Sequence, residues 1–164
     1  MTDPTLRDLT CQRWAAHNPT LDTSPMRLVA QIKRISALLD LAVETLYATA
    51  DLTSAEVGLL VPLRYADEPL TAIRLAEHLN MTRAGVGKTL AKLERRGLIS
   101  RTPNPDDRRS ALLRMTPAGI RLIDDVFPRE LQAHGALFTG LGADRPRVLE
   151  ALEVLARSME GALD

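Results

Sequence analysis

The chain has 164 residues, of which 45% are apolar and only 3% aromatic, and its 21 Lys+Arg balance 21 Asp+Glu to a formal net charge of zero. That length holds one domain, or a small domain with helices that pair with a second copy, and the charge balance excludes a polycation that coats nucleic acid or anionic membrane indiscriminately. Cys11 has no second cysteine to pair with, no run is apolar enough to cross a bilayer, and the opening Met-Thr-Asp-Pro-Thr-Leu-Arg-Asp lacks an apolar signal core, so a cytoplasmic location is expected.

Residues 1–23 read as an N-terminal extension carrying a short helix, with Cys11 expected as a small hydrophobe on it and Trp14, the only tryptophan, as a packing anchor. Ser24-Pro25 starts a long helix to about Ala50, marked by Leu28, Ile32, Ile35, Leu39, Val43 and Leu46. Val57, Leu60 and Leu63 mark a second from about Thr53 to Tyr65, in which Pro62 implies a bend or an early end. Thr71 is placed to cap a short amphipathic helix that runs to about Leu79 through Ala72, Leu75 and Ala76. After a tight break at Asn80-Met81, Thr82 caps the next helix, whose buried stripe is Val86, Leu90 and Leu93 and whose end is marked by Gly97 at C′.

Leu98 to Thr102 and Ala111 to Met115 then form the arms of a β-hairpin. Pro103 and Pro105 withhold amide donors, so the tip is not expected to extend the sheet, and Asp106, Asp107, Arg108 and Arg109 are too costly to bury unpaired. Thr116-Pro117 supplies N-cap and N1 of a helix through Ile120, Ile123, Phe127, Leu131 and Phe138, interrupted or kinked at Pro128. Gly140-Leu141-Gly142 breaks the chain before a last helix from about Asp144 that carries Val148, Leu149, Leu152, Leu155, Ala156 and Met159.

Two helices joined by so short a break make a helix-turn-helix. Opposite the buried stripe of the second lie Ala84, Lys88, Ala91 and Arg95, with Gly87 and Lys92 beside them, a face small enough to sit close to a groove and basic enough to hold one. Lys88, Lys92 and Arg95 suit base edges or phosphates, and Thr82 and Arg83 lie at the helix N-terminus, where amides and dipole favour a phosphate. A basic helix face alone is commonly just solvated surface. Here a charged hairpin follows it, and from Arg83 to Arg114 the basic residues meet only Glu94, Asp106 and Asp107 as local opposing charge, so double-stranded DNA is the expected partner.

The expected fold is mainly α: a winged helix-turn-helix over residues 52–116, flanked by N- and C-terminal helices, 24–51 and 117–164, that form a dimerisation region. The end helices carry more apolar surface than a helix-turn-helix of this size can cover, and a homodimer would present two recognition helices to successive major-groove faces.

The element order, with Leu93-Glu94-Arg95-Arg96-Gly97-Leu98-Ile99, Asp106-Asp107-Arg108-Arg109-Ser110 and Leu113-Arg114-Met115-Thr116-Pro117-Ala118-Gly119, resembles the MarR family of bacterial regulators from Ser24 onward. That resemblance implies a winged-helix dimer on a pseudo-palindromic operator, usually a repressor released by a small ligand or an oxidant. It casts Arg109 as the minor-groove reader and Asp107 as the residue that orients the wing, leaving Arg108 for a phosphate; a guanidinium suits the concentrated negative potential of a narrow groove.

The segment from Arg13-Trp14 to Met26 is similar to the N-terminal extension of the branch that includes PecS and urate-responsive members. The resemblance puts Trp14 beside an effector pocket, and by residue type His17 and Arg64 are the candidate anion partners there. The branch's acid and arginine fall at Gly58 and Tyr65, which offer neither a carboxylate nor a guanidinium, so urate itself is not expected. Peroxide-sensing relatives carry their cysteine on the first core helix, whereas Cys11 lies in the extension. His17, His78 and His134 are too dispersed for a metal site, and no cofactor is expected. No phosphate loop, Ser-His-Asp constellation or carboxylate cluster suggests an enzyme. A winged helix used only for protein contact is the alternative, which Lys88, Arg95 and Arg109 disfavour.

Overall fold

A computed structural model describes residues 6–163; the opening residues read above for a signal segment lie partly outside that range. The chain divides into two compact units, one up to Glu44 and one from Thr45 onward. The first holds α1 (Leu6–His17) and most of α2 (Ser24–Thr49), within which the division falls. No residue of α1 is buried, and Trp14 leaves 52% of its surface exposed, so within this chain it anchors little.

The second unit contains α3 (Ser54–Arg64), β1 (Leu70–Thr71), α4 (Ala72–His78), α5 (Arg83–Arg95), β2 (Ile99–Pro103), β3 (Ala111–Met115), α6 (Pro117–Leu137), a 3-10 stretch (Thr139–Asp144) and α7 (Arg145–Glu160). Its core is aliphatic: Leu59, Leu60, Leu75, Val86, Leu90, Leu93, Ile123 and Val126 are all but inaccessible, and the α5 stripe is the one its periodicity predicts. Burial of each such side chain contributes roughly 1.5–3 kcal/mol, which is why three short helices and a small sheet hold together.

Local chemistry sets the boundaries. Thr53, Thr71, Thr82 and Thr116 each cap a helix, accepting from the amides of Glu56, Arg74, Gly85 and Gly119. Gly97 follows α5 at φ +67, the left-handed conformation that a C′ glycine adopts without a Cβ penalty. Asn80 makes the α4–α5 turn at φ +50.

Several expectations need correction. Pro62 does not stop α3 at once, because the helix continues to Arg64, and Pro128 does not interrupt α6. The first hairpin arm begins at Ile99 and ends at Pro103, which stands in register with Ala111. Pro103 is tolerated there because β2 is an edge strand, so its missing donor disrupts no second ladder. The sheet order is β1-β3-β2, and its third strand, where Leu70 and Thr71 pair Leu113 and Leu112, is too short for any periodicity to signal.

Candidate nucleic-acid interface

The helix-turn-helix is α4 and α5, joined by the turn around Asn80. On α5, Arg83, Ala84, Lys88 and Arg95 are exposed, while Val86, Leu90 and Leu93 are buried, so the basic and small residues share the outward side. The Thr82 hydroxyl accepts from the Gly85 amide at 3.2 Å and fixes the first turn, whose remaining amides point out of the helix end. Arg83 makes only a long, exposed contact with Glu77, 3.5 Å, which water and salt weaken. Lys88 and Arg95 form no ion pair among the described residues.

Beyond α5 the hairpin tip is ordered by its own side chains. The Asp107 carboxylate accepts from the Arg109 amide at 3.0 Å, the Asn104 side chain accepts from the Asp106 amide at 3.0 Å, and the Ser110 amide donates to the Asp107 carbonyl at 3.0 Å. Asp107 thus closes the turn through the Arg109 backbone and not through its guanidinium. Arg108 and Arg109 remain exposed, without an ion pair among the described residues. A loop held by Asx turns can present cations without spending them on its own shape.

The opposing charge differs from the local expectation, because acids distant in sequence fold onto the basic stretch. Glu56 on α3 is buried, 1% exposed. One of its oxygens accepts from the Thr53 amide at 2.8 Å and the Thr53 hydroxyl at 3.0 Å, the reciprocal half of the capping box. The other faces Lys92 Nζ at 3.2 Å and Arg96 Nη1 at 2.9 Å. Burial pushes this carboxyl up, but the Thr53 hydrogen bonds and the Lys92 ammonium outweigh it and hold Glu56 below the ordinary glutamate value. Arg96 also reaches Asp51 at 3.1 Å, and Arg101 pairs Glu94 at 3.0 Å. Lys92, expected on the reading face, is therefore engaged with α3, and the cations left outward are Arg83, Lys88 and Arg95 on α5, Arg108 and Arg109 at the tip, and Arg114 on β3.

The three residues expected around an effector fall in different units of the chain. Trp14 and His17 line a shallow concavity of about 360 Å³ with Arg13 and Asn18 in the first unit. His17 Nδ1 lies 2.9 Å from the Arg13 carbonyl. Arg64 belongs to the second unit, where its fork grips Asp124 at 2.8 and 3.0 Å; that hydrogen bonding holds the Asp124 carboxyl below the ordinary range. Cys11 is a half-buried free thiol, and no cluster of three metal-ligating side chains occurs among the described residues.

A helix-turn-helix followed by a hairpin and packed under a small antiparallel sheet defines a winged helix-turn-helix protein. The family model for the MarR family matches residues 52–111. The chain is similar to the transcriptional regulator PecS of Dickeya dadantii, 26% identical over 143 residues that span 86% of each protein. It is 31% identical over 103 residues to the multiple antibiotic resistance protein MarR of Salmonella typhimurium, covering 62% of this chain and 71% of that one. Among solved structures it resembles the transcriptional repressor CouR bound to a 23-mer DNA duplex, with 27% identity, a TM-score of 0.71, and coverage of 83% of this chain and 98% of that one. CouR of Rhodococcus jostii RHA1 has also been solved with p-coumaroyl-CoA bound. The chain belongs to the MarR family and is a DNA-binding transcriptional regulator.

Proposed function

We propose that this chain works in the cytoplasm as a homodimeric, ligand-released repressor that grips a pseudo-palindromic operator with α5 in the major groove and the hairpin in the adjacent minor groove. The carrying observation is the division of its cations: Lys88, Arg95, Arg108 and Arg109 face outward without ion pairs among the described residues, while Lys92, Arg96 and Arg101 are consumed internally. In this arrangement Lys88 and Arg95 contact bases or phosphates, Thr82 and Arg83 hold a phosphate at the α5 N-terminus, Asp107 shapes the tip, Arg109 reads the minor groove and Arg108 meets a phosphate. Dimerisation is supported by α7, which buries no residue and exposes Val148, Leu149, Leu152 and Met159. It is supported separately by α2, which exposes Leu28, Ile32, Ile35 and Leu38. Stripes of this kind at helical spacing need a partner surface.

For the effector, Trp14 and His17 offer an aromatic wall and an imidazole, which suit a small aromatic anion. The test of the DNA-binding role is the salt dependence of binding to duplexes from the DNA flanking the coding sequence. Phosphate neutralisation makes log affinity fall linearly with log salt, by about 0.9 per phosphate contact. A response flat in salt for every duplex would leave only the protein-contact alternative.

A further inference from the structure

We infer that Glu56 is a positioning residue that sets the rotational register of the recognition helix, and that Lys92 serves this latch and does not contact DNA. This inference rests on the DNA-binding role proposed above. Lys92 and Arg96 lie one helical turn apart near the C-terminal end of α5, and both reach the same Glu56 oxygen, at 3.2 and 2.9 Å. The second oxygen is fixed by the Thr53 amide and hydroxyl, at 2.8 and 3.0 Å, so the carboxylate cannot swing to follow a moving helix. Arg96 is held from its other side by Asp51, 3.1 Å away. Four fixed partners meet around one carboxylate that is 1% exposed.

Such a charge has no substitute for its partners: a buried carboxylate that loses them keeps its desolvation cost and gains nothing in return. A turn of α5 about its axis that carried Lys88 and Arg95 off a groove would also pull Lys92 and Arg96 from Glu56, because all four ride on one rigid helix. The hydrophobic stripe below tolerates small rotations, since apolar contact is not directional, whereas a charged hydrogen bond to a fixed carboxylate oxygen is. The sharp angular definition of the reading face therefore comes from Glu56. Lys92 Nζ is spent on this role although its side chain is 49% exposed.

The experiment uses a duplex enriched from a random pool by the wild-type chain, compared with a scrambled duplex over a salt series, well below each variant's melting temperature. Glu56→Gln keeps the shape and an oxygen for Thr53 but turns an amide towards two cations; the preference for the selected duplex should fall by about tenfold. Scrambled-duplex affinity should stay within about twofold and the salt slope should not change, a pattern that loss of global stability would not produce. Lys92→Gln, at a half-exposed position, should also lower the preference and leave the slope unchanged, and it decides the matter if Glu56→Gln does not fold. A slope reduced by about 0.9 in Lys92→Gln would make it a phosphate contact and overturn the latch. So would wild-type preference in folded Glu56→Gln. A wild-type chain that enriches no duplex overturns the DNA-binding proposal itself, and the latch with it, a result distinct from any variant effect.

Discussion

Replacing Gly119 with alanine isolates the joint between the hairpin and α6. Gly119 sits in the first turn of α6, and a Cβ added there would overlap the Leu98 carbonyl oxygen and stand 3.0 Å from the Leu98 carbonyl carbon and 3.2 Å from Met115 Cε. Backbone cannot step aside as a flexible side chain can, so relief requires the Leu98 peptide to move. That peptide oxygen accepts from the Thr116 amide at 3.1 Å, while the Thr116 hydroxyl donates to the adjoining Gly97 carbonyl at 2.7 Å and caps α6 at the Gly119 amide, 3.1 Å. Overpacking costs about 1–3 kcal/mol. Each weakened hydrogen bond adds about 1 kcal/mol. Alanine's better helix propensity offsets about 1 kcal/mol of this. The net is a destabilisation of about 2–4 kcal/mol, or roughly 5–15 °C in Tm for a chain of this size. Thermal and urea unfolding followed by circular dichroism, at fixed protomer concentration, measures it. Gly87→Ala is the control, because nothing lies within 4 Å of its added Cβ and it gains the same propensity without a clash. A Gly119→Ala protein as stable as wild type, or stabilised like the control, would show that the close approach to Leu98 does not constrain the joint.

Four further outcomes are expected. Gly87→Ala should raise stability by about 0.5–1 kcal/mol yet weaken duplex binding, since Gly87 neighbours the outward face of α5; unchanged affinity in a binding titration would place Gly87 off the groove. Arg109→Ala should cost about 1–3 kcal/mol of operator affinity with an unchanged melting curve, and wild-type affinity in the folded variant would remove its minor-groove role. Because the folded Glu56 carboxyl titrates below its unfolded value, its contribution to stability is full above the ordinary glutamate range and is lost as pH falls through the lower folded value. Urea midpoints across acidic pH should therefore fall more steeply for wild type than for Glu56→Gln, and parallel curves would contradict the assignment. Deleting the chain after Gly140 removes α7 and should give an aggregating protein in sedimentation, whereas a soluble, DNA-binding monomer would refute dimerisation through this helix.

Much of the interface was legible because its signals are local. Thr71, Thr82 and Thr116 are caps by residue type and position, and Gly97 terminates α5 as its place after a periodic stripe predicts. The tip's Asp107 bonds within two residues of itself, so the turn needs nothing from elsewhere. Pro103 joins the strand against expectation because a missing amide matters only if a neighbouring strand asks for it, and edge position is not written in the residue itself. The second role of Glu56 is hidden from the sequence for a similar reason. As part of Thr53-Ser-Ala-Glu56 it is half of a visible capping box, but the ion pairs that give it a second role reach Lys92 and Arg96, far along the chain.

The sequence by itself determined the helices, their caps, the hairpin and the excess of positive charge between Arg83 and Arg114, since each follows from propensity, periodicity or the chemistry of neighbours. Only the tertiary structure decided which of those cations remain available. Coulombic pairing depends on distance in space, and folding placed Glu56 against Lys92 and Arg96 while leaving Lys88, Arg95, Arg108 and Arg109 outward.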